Sequence, residues 1–358
     1  MPNVTVYFAT NRLAVSGAAP PDAFGADIGP PTDPNAVTYA TAFVEGTDLA
    51  QEGSGTIASI DNRNAGAFPP GVADDILGGK NLLVFIHGFD NAFSDAITRA
   101  AYNREWFAAS GIAAADTTML AFTWPSLGAL FAPPPSLPAD GYRRDQQFAG
   151  QSGFHIATFF AAIRPLLDRA KAAGHRRFLL AHSMGNYALA GAVESWFAQG
   201  HPAAPLFDEV FLAAADEQAD SFGGPPGTRL SRLPGLCDRI SIYSSRRDIA
   251  MDLSRAVNGD ERLGFDGPTD KADIAAFPPA TFRLGDTTEV DDFDPLTPQD
   301  ATHQYYRRSA TVRADIARTM AGNPAPAGGV FAPPTTRGGM QAVIDIELEA
   351  KRRGRAST

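Results

Sequence analysis

Sixteen consecutive residues, from Phe178 to Val193, constrain the fold more than any other part of this 358-residue chain. They read FLLAHSMGNYALAGAV: an apolar run, a short polar segment around Ser183, and then a run rich in alanine and glycine. This pattern is typical of a buried strand that turns sharply into a helix. The residues two before and two after the serine are Ala181 and Gly185, and such a turn leaves room only for small side chains there. The segment therefore predicts a strand, a strained turn at Ser183 and a helix.

A second apolar run is followed by a pair of residues that complements this turn. Residues 81–86 read NLLVFI, which is typical of a strand buried on both faces, and His87 and Gly88 follow directly. Gly88 lets the backbone turn, so that the amide of Phe89 can face the same point in space as the amide of Met184. Two converging N–H groups beside a serine hydroxyl stabilise an oxyanion. We therefore expect the amides of Phe89 and Met184 to form an oxyanion hole.

The rest of the chain alternates short apolar runs with helical stretches, as βαβ crossovers require. The first strand, residues 4–9, is expected at an edge of the sheet, and residues 37–44 and 56–61 are expected to open it in antiparallel fashion. Further buried strands are expected at residues 81–86, 117–124, 209–215 and 239–243, together with the strand that begins at Arg177 and leads into the turn at Ser183. A final helix is expected over residues 304–320. The pattern predicts an α/β fold, with a mostly parallel central sheet of about eight strands and helices on both faces.

The chain is expected to form one domain over residues 1–322. Glycine, proline and acidic residues indicate loop insertions at about 13–35, 127–151 and 262–298. The insertion at 127–151 follows the carboxyl end of a strand, where it would form a lid or a pocket wall, or else a surface loop without a role. Residues 323–358 are expected to be a peripheral tail that is partly flexible and could contact another subunit.

A serine needs a nearby base to accept its proton before it becomes an effective nucleophile. In this architecture the chain order is serine, acid, histidine, and only His201 and His303 follow Ser183. His201 comes 18 residues after the serine, at the far end of the predicted helix. His303 lies in a loop just before the last helix, and it is the predicted base.

Two aspartates compete for the role of the acid that orients this histidine. Asp216 follows the strand at 209–215, and Asp248 follows the strand at 239–243. Either carboxylate could accept the distal N–H of the imidazole and so set its tautomer. We favour Asp248, because it lies nearest to where the histidine loop returns, and we keep Asp216 as the alternative acid or as a polar residue of the pocket wall.

Other residues bear on what the site would bind. His87, Trp124, Phe131 and Phe293 are predicted substrate contacts. The aromatic residues Phe89, Trp124, Phe131 and Phe293 suggest an apolar acyl pocket, with ordinary core packing as the alternative. The sequence contains no HExxH, no paired CxxC and no GxxxxGK[ST], so neither a metal nor a nucleotide cofactor is expected.

Composition limits the partners. The net charge of −10 disfavours nucleic acid, because a phosphate backbone would be repelled. No apolar run is long enough for a membrane span, and the first residues do not resemble a secretory signal, so a cytoplasmic protein is the default expectation. The oligomeric state cannot be predicted from the sequence.

Five segments, YFATNR, HGFDNAF, AFTWPS, AHSMGNYAL and YSSRRDIAMDLS, together resemble the α/β-hydrolase superfamily. More narrowly, they resemble a bacterial branch of serine hydrolases of unknown function, over most of residues 4–320. The resemblance implies the eight-stranded hydrolase sheet, and it supports Ser183, Asp248 and His303, since each falls on the matching motif position. In that branch the aspartate stands in a YxSxxD context, as Asp248 does here.

The expected activity is hydrolysis of carboxylic esters of small molecules through an acyl-enzyme, with a Ser-Asp-His triad. An amidase or peptidase that uses the same triad is one alternative. A binding protein that retains the fold without catalysis is another, because a fold does not by itself select a reaction.

Overall fold

The computed structural model describes residues 3–51, 53–78, 81–126, 138–225, 228–290, 292, 302–322 and 344–345. Its strands are β1 (Val4–Thr10), β2 (Arg12–Ala14), β3 (Phe24–Ile28), β4 (Thr38–Glu45), β5 (Thr56–Ala65), β6 (Asn81–Ile86), β7 (Thr117–Thr123), β8 (Arg177–His182), β9 (Glu209–Ala213), β10 (Ile240–Ser244), β11 (Phe282–Asp286) and β12 (Ile344–Asp345). Its helices are α1 (Pro70–Leu77), α2 (Phe93–Ala109), α3 (Pro138–Gln151), α4 (Gly153–Ala172), α5 (Gly185–Ala198), α6 (Ile249–Asn258), α7 (Leu263–Asp266), α8 (Tyr305–Arg308) and α9 (Ala310–Met320).

Ten of these strands form one sheet, in the order β12-β11-β10-β9-β8-β6-β7-β1-β4-β5. Every neighbouring pair from β12 to β1 is parallel, whereas β4 and β5 are antiparallel. The predicted α/β fold is confirmed, with β11 and β12 extending the sheet beyond the expected eight strands. The expectation that the first strand is an edge strand was wrong: β1 lies between β7 and β4, and β5 forms the edge.

All three predicted insertions contain regular structure. Within residues 13–35, β3 pairs with β2 in a small antiparallel sheet. Within residues 262–298, β11 pairs with β10. The sequence FRLGD does not predict a buried strand, because the charged Arg283 interrupts its apolar residues. In the structure, the Arg283 guanidinium is buried in an ion pair with Asp315. Of the 127–151 insertion, residues 138–151 form α3.

The central strands carry a core on both faces of the sheet, because side chains alternate along each strand. Val84 and Leu179 belong to the cluster that contains residues of α4 and α5. Their neighbours Leu83 and Leu180 belong to the cluster that contains residues of α2 and α9. Strand β8 is buried along its whole length, and its carboxyl end is therefore held rigidly in the middle of the sheet.

The predicted final helix is broken in two at Ser309. This residue has extended backbone dihedrals, and its hydroxyl accepts a hydrogen bond from the amide of Val312 at 3.0 Å. Such a bond satisfies one of the free N–H groups of the first turn of a helix, so α9 begins at a new N-cap. The short helix α8 is thereby free to take its own direction.

Helices α4 and α5 approach each other through glycine. A Cβ atom added to Gly153 would lie 2.5 Å from the backbone of Gly191. We expect Gly153→Ala to lower the free energy of unfolding by about 1 to 3 kcal/mol, since the two helices would have to separate. Gly71→Ala in α1 is the matched control, because nothing lies within 4 Å of its added methyl group. Urea denaturation of both variants would test this, and equal stabilities would contradict it.

Candidate active site

Ser183 lies in the left-handed region of backbone space, with φ of +55°, at the end of β8. A non-glycine residue in this region carries a strain of about 1 to 3 kcal/mol, and it stays there only when its surroundings hold it. Its amide donates to the carbonyl of Ala213 at 3.1 Å, and its own carbonyl accepts from the amide of Asp216 at 3.1 Å. The side-chain amide of Asn186 also donates to the Ser183 carbonyl, at 3.1 Å. Strand β9 and the first turn of α5 therefore hold the strained turn on both sides.

The turn at Ser183 touches the loop that follows β6. A Cβ atom on Gly185 would lie 2.6 Å from the carbonyl oxygens of Ile86 and His87. A Cβ atom on Gly88 would lie 2.7 Å from the Cβ atom of Ser183. Contacts this short with backbone atoms exclude any larger side chain at either glycine, so the two loops meet backbone to backbone.

The amides of Phe89 and Met184 stand on these two loops. Within the described residues, neither amide donates a hydrogen bond to an acceptor of the protein. Met184 also immediately precedes α5, where the helix dipole adds partial positive charge. An anion beside the Ser183 hydroxyl would find favourable electrostatics here.

His303 and Asp248 form a hydrogen-bonded pair. The Nδ1 atom of His303 lies 2.9 Å from Oδ2 and 3.1 Å from Oδ1 of Asp248. Asp248 is completely buried, and Oδ1 also accepts from the amides of Ala250 and Met251, so that the residue caps α6. The start of α6 therefore fixes the carboxylate, and the carboxylate fixes the imidazole ring.

Asp216, the alternative acid, is a polar residue of the cavity wall. Its carboxylate accepts from the hydroxyl of Tyr142 at 2.8 Å and from the hydroxyl of Ser254 at 2.5 Å. The guanidinium of Arg262 lies 3.6 Å away. These contacts link α3 to α6, and it is Asp248 that holds His303.

Ser183 and His303 line one cavity of about 430 Å³, although they are 120 positions apart in the chain. Apolar and aromatic groups line the part formed by α6, α3 and the loop after β6, namely Phe89, Tyr142, Ala250, Met251, Leu253 and Val257. Polar and charged groups also line it, among them Asp90, Asn91, Arg99, Gln304 and Arg308. The cavity thus offers both an apolar surface and hydrogen-bonding groups within reach of one serine.

Two predicted substrate contacts take a different position. Trp124 is fully buried, and its ring stacks on His87 with an interplanar angle of 5°. The indole N–H donates to the carbonyl of His87 at 2.9 Å, and the amide of Trp124 donates to Nε2 of His87. Neither residue lines the cavity. Both residues are buried and bond to each other, and Nδ1 of His87 lies 2.9 Å from the carbonyl oxygen of Gly88, so the pair supports the loop after β6. Phe131 and Phe293 lie outside the described residues.

Arg12 is a supporting residue that sequence reasoning missed. It is buried at the start of β2, and its guanidinium donates to the carbonyl of Asn91 at 2.7 Å and to the hydroxyl of Thr123 at 3.1 Å. Burial lowers the pKa of Arg12 to about 9. The signal was present as an arginine two residues after a strand of the central sheet, but only the fold shows that this strand ends beside the loop after β6.

His182 is a second supporting residue that sequence reasoning missed. Its Nε2 atom lies 3.2 Å from the carbonyl oxygen of His303, a distance at which an Nε2–H group donates. Burial lowers the pKa of His182 well below its usual value, and positive charge on His303 and Arg307 lowers it further. The side chain is therefore neutral and acts as a hydrogen-bond donor to the histidine loop.

A mostly parallel sheet, a strained serine after a central strand and a histidine–aspartate pair from later loops together define an α/β hydrolase. The chain belongs to the family described as α/β hydrolases of unknown function (DUF900), whose profile matches residues 73–319. No curated protein matches the chain in sequence. Phospholipase PlaB from Legionella pneumophila, solved in complex with thio-NAD, is similar in structure with a TM-score of 0.29 and 11% identity. That similarity covers 68% of this chain and 62% of the phospholipase.

Within the described ranges, every helix is too short or too polar to cross a membrane.

Buried histidines make the stability of the fold depend on pH. Burial and the nearby charge of Arg12 lower the pKa of His87 to about 3, whereas an unfolded histidine titrates near 6.5. Below pH 6.5 the unfolded chain therefore takes up a proton that folded His87 does not, and the stability present above this pH is lost as the pH falls towards 3.

We expect the free energy of unfolding to fall by about 1.4 kcal/mol per pH unit for each such histidine between about pH 6 and 5. His87→Gln should reduce this pH dependence of the free energy of unfolding by the contribution of one histidine. Urea denaturation of the protein and of this variant at several pH values would measure it, and identical slopes would refute it.

Proposed function

We propose that this protein is a serine hydrolase that cleaves carboxylic esters through an acyl-enzyme intermediate. Ser183 is the nucleophile, His303 the general base and Asp248 the acid that orients it. The observation that carries the proposal is the bond of 2.9 Å between the buried Asp248 carboxylate and Nδ1 of His303, which lines the same cavity as Ser183. The strained backbone of Ser183 supports it, because strain of this kind is retained where function requires it.

The tautomer of His303 follows from its bond to Asp248. The carboxylate is acceptor only, so Nδ1 carries the proton and Nε2 keeps its lone pair for the hydroxyl of Ser183. As the Ser183 oxygen attacks the ester carbonyl, Nε2 takes its proton, and the buried carboxylate stabilises the imidazolium that forms. The amides of Phe89 and Met184 would then hold the oxyanion of the tetrahedral intermediate.

The second half of the reaction reverses these proton transfers. His303 gives its proton to the departing alcohol, which leaves Ser183 acylated. A water molecule then attacks the acyl-enzyme, with His303 again as the base, and the acid is released. The cavity volume of about 430 Å³ suits an ester of modest size, and its apolar lining suits the acyl group.

The nucleophile is tested first. Ser183→Ala should lower kcat on short p-nitrophenyl esters by about 10⁶-fold, as in other serine hydrolases, and should abolish covalent labelling by a fluorophosphonate probe. Mass spectrometry of the labelled protein would place the adduct on Ser183. Ser59→Ala, on edge strand β5, serves as the control and should change neither readout.

Two outcomes would overturn this proposal in different ways. Hydrolysis of matched amides at rates that rival the esters would assign an amidase or peptidase. Folded protein that neither labels with the probe nor hydrolyses any acyl donor would assign a binding function without catalysis.

The choice between the two aspartates is tested by matched substitutions. Asp248→Asn should lower kcat by about 10⁴-fold, because an amide in this position favours the wrong tautomer of His303. Asp216→Asn should cause a far smaller loss, since the Asp216 carboxylate bonds to Tyr142 and Ser254. Steady-state kinetics on one ester would rank the variants, and the opposite ranking would transfer the role of the acid to Asp216.

A further inference from the structure

The residue directly before the proposed nucleophile contacts the backbone of the proposed base. His182 Nε2 lies 3.2 Å from the carbonyl oxygen of His303, which can only accept a hydrogen bond. The His182 side chain therefore carries its proton on Nε2 and donates it. The residue is only 6% exposed, so water competes little for this bond.

The ring of His182 lies between two other rings. Its centroid lies 4.7 Å from that of His303 and 4.7 Å from that of Tyr306, so packing as well as hydrogen bonding restricts it. The charged groups that face it are Arg307 from α8, Arg99 from α2 and His303 itself when protonated. All three charges are positive or become so, and each disfavours a proton on the second nitrogen of His182.

The base is held by three separate restraints. Asp248 orients the imidazole ring of His303, but a bond to the side chain does not fix the backbone that carries it. The hydroxyl of Tyr305 anchors α8 by donating to the carbonyl of Tyr243 at 2.8 Å and accepting from the amide of Ala214 at 3.0 Å. The bond from His182 joins the His303 backbone to the last residue of β8, next to Ser183.

We propose that His182 is a positioning residue, whose Nε2–H group holds the backbone of His303 at the distance from Ser183 that proton transfer requires. This inference rests on the proposed function. Since β8 is buried and rigid, one hydrogen bond from its last residue ties the base directly to the nucleophile. His182 lines the same cavity as Ser183, but the role proposed for it acts through His303 and needs no contact with the substrate.

Two substitutions separate the hydrogen bond from the ring packing. His182→Phe keeps a ring between His303 and Tyr306 but removes the donor. His182→Gln removes the ring but places an N–H donor about as far from the backbone as Nε2. His201→Phe is the matched control, because His201 packs on Trp196 at the other end of α5, with its ring centroid 4.2 Å away.

The readouts are kcat and KM on one p-nitrophenyl ester, the rate of fluorophosphonate labelling, the melting temperature, and the downfield NMR resonance of the His303 Nδ1 proton. We expect His182→Phe to lower kcat and the labelling rate by about 10²-fold, the effect of misplacing a catalytic group by about 1 Å. KM and the Nδ1 resonance should change little, because Asp248 still binds the ring. His182→Gln should recover most of the loss, and His201→Phe should match the unmodified protein.

The outcomes separate this inference from the proposed function. If the unmodified protein does not react with esters or the probe, the proposed function fails. If it reacts, and His182→Phe is as active while His182→Gln is impaired, the ring and not the donor matters, and the positioning role is wrong. Equal activity of all variants would also overturn it. If His182→Phe melts much earlier, the labelling rate is compared at a temperature where both variants are folded, and loss of the Nδ1 resonance together with activity would assign a structural role.

Discussion

The contact between the turn at Ser183 and the loop after β6 is the constraint on which the site depends. Gly88 and Gly185 let the two backbones approach to distances that no side chain would allow. This approach places the amides of Phe89 and Met184 on adjacent loops beside one hydroxyl. A parallel sheet makes it possible, because β6 and β8 are neighbours and both end at the same edge.

Around this contact the protein places polar groups that water cannot reach. Hydrogen bonds join Arg12, His87 and Thr123 to one another or to the loop after β6. The indole N–H of Trp124 donates to the carbonyl of His87 in the same group. Each buried donor or acceptor without a partner would cost about 1 to 3 kcal/mol, so the loop is held most firmly when every bond is made. The same burial keeps the histidines neutral, which makes them reliable hydrogen-bonding groups and also makes the fold sensitive to acid.

His303 and Asp248, the proposed base and acid, come from a part of the chain with less regular structure. Asp248 is ordered because it caps α6, and α8 is ordered because Tyr305 bonds to β10 and to the backbone after β9. Asp216 links α3 to α6 through Tyr142 and Ser254, which fixes this wall of the cavity. Three carboxyl ends of neighbouring strands therefore serve different purposes: β8 presents the serine, β9 shapes the cavity and β10 orients the histidine.

The sequence by itself determined the α/β class, the strand–turn–helix at Ser183, and the candidates for base and acid, because periodicity and residue type act locally and leave a readable pattern. The sequence wrongly predicted β1 as an edge strand, because the position of a strand in a sheet depends on its partners. It did not predict β11, because Arg283 interrupts the apolar residues and its ion-pair partner Asp315 is far away in the chain. Only the tertiary structure decided that Asp248 faces His303, that Asp216 faces Tyr142, and that His87 and Trp124 lie behind the site. The reason is physical: which of two carboxylates meets an imidazole depends on how helices far apart in the chain pack over one sheet, and no local pattern encodes that distance.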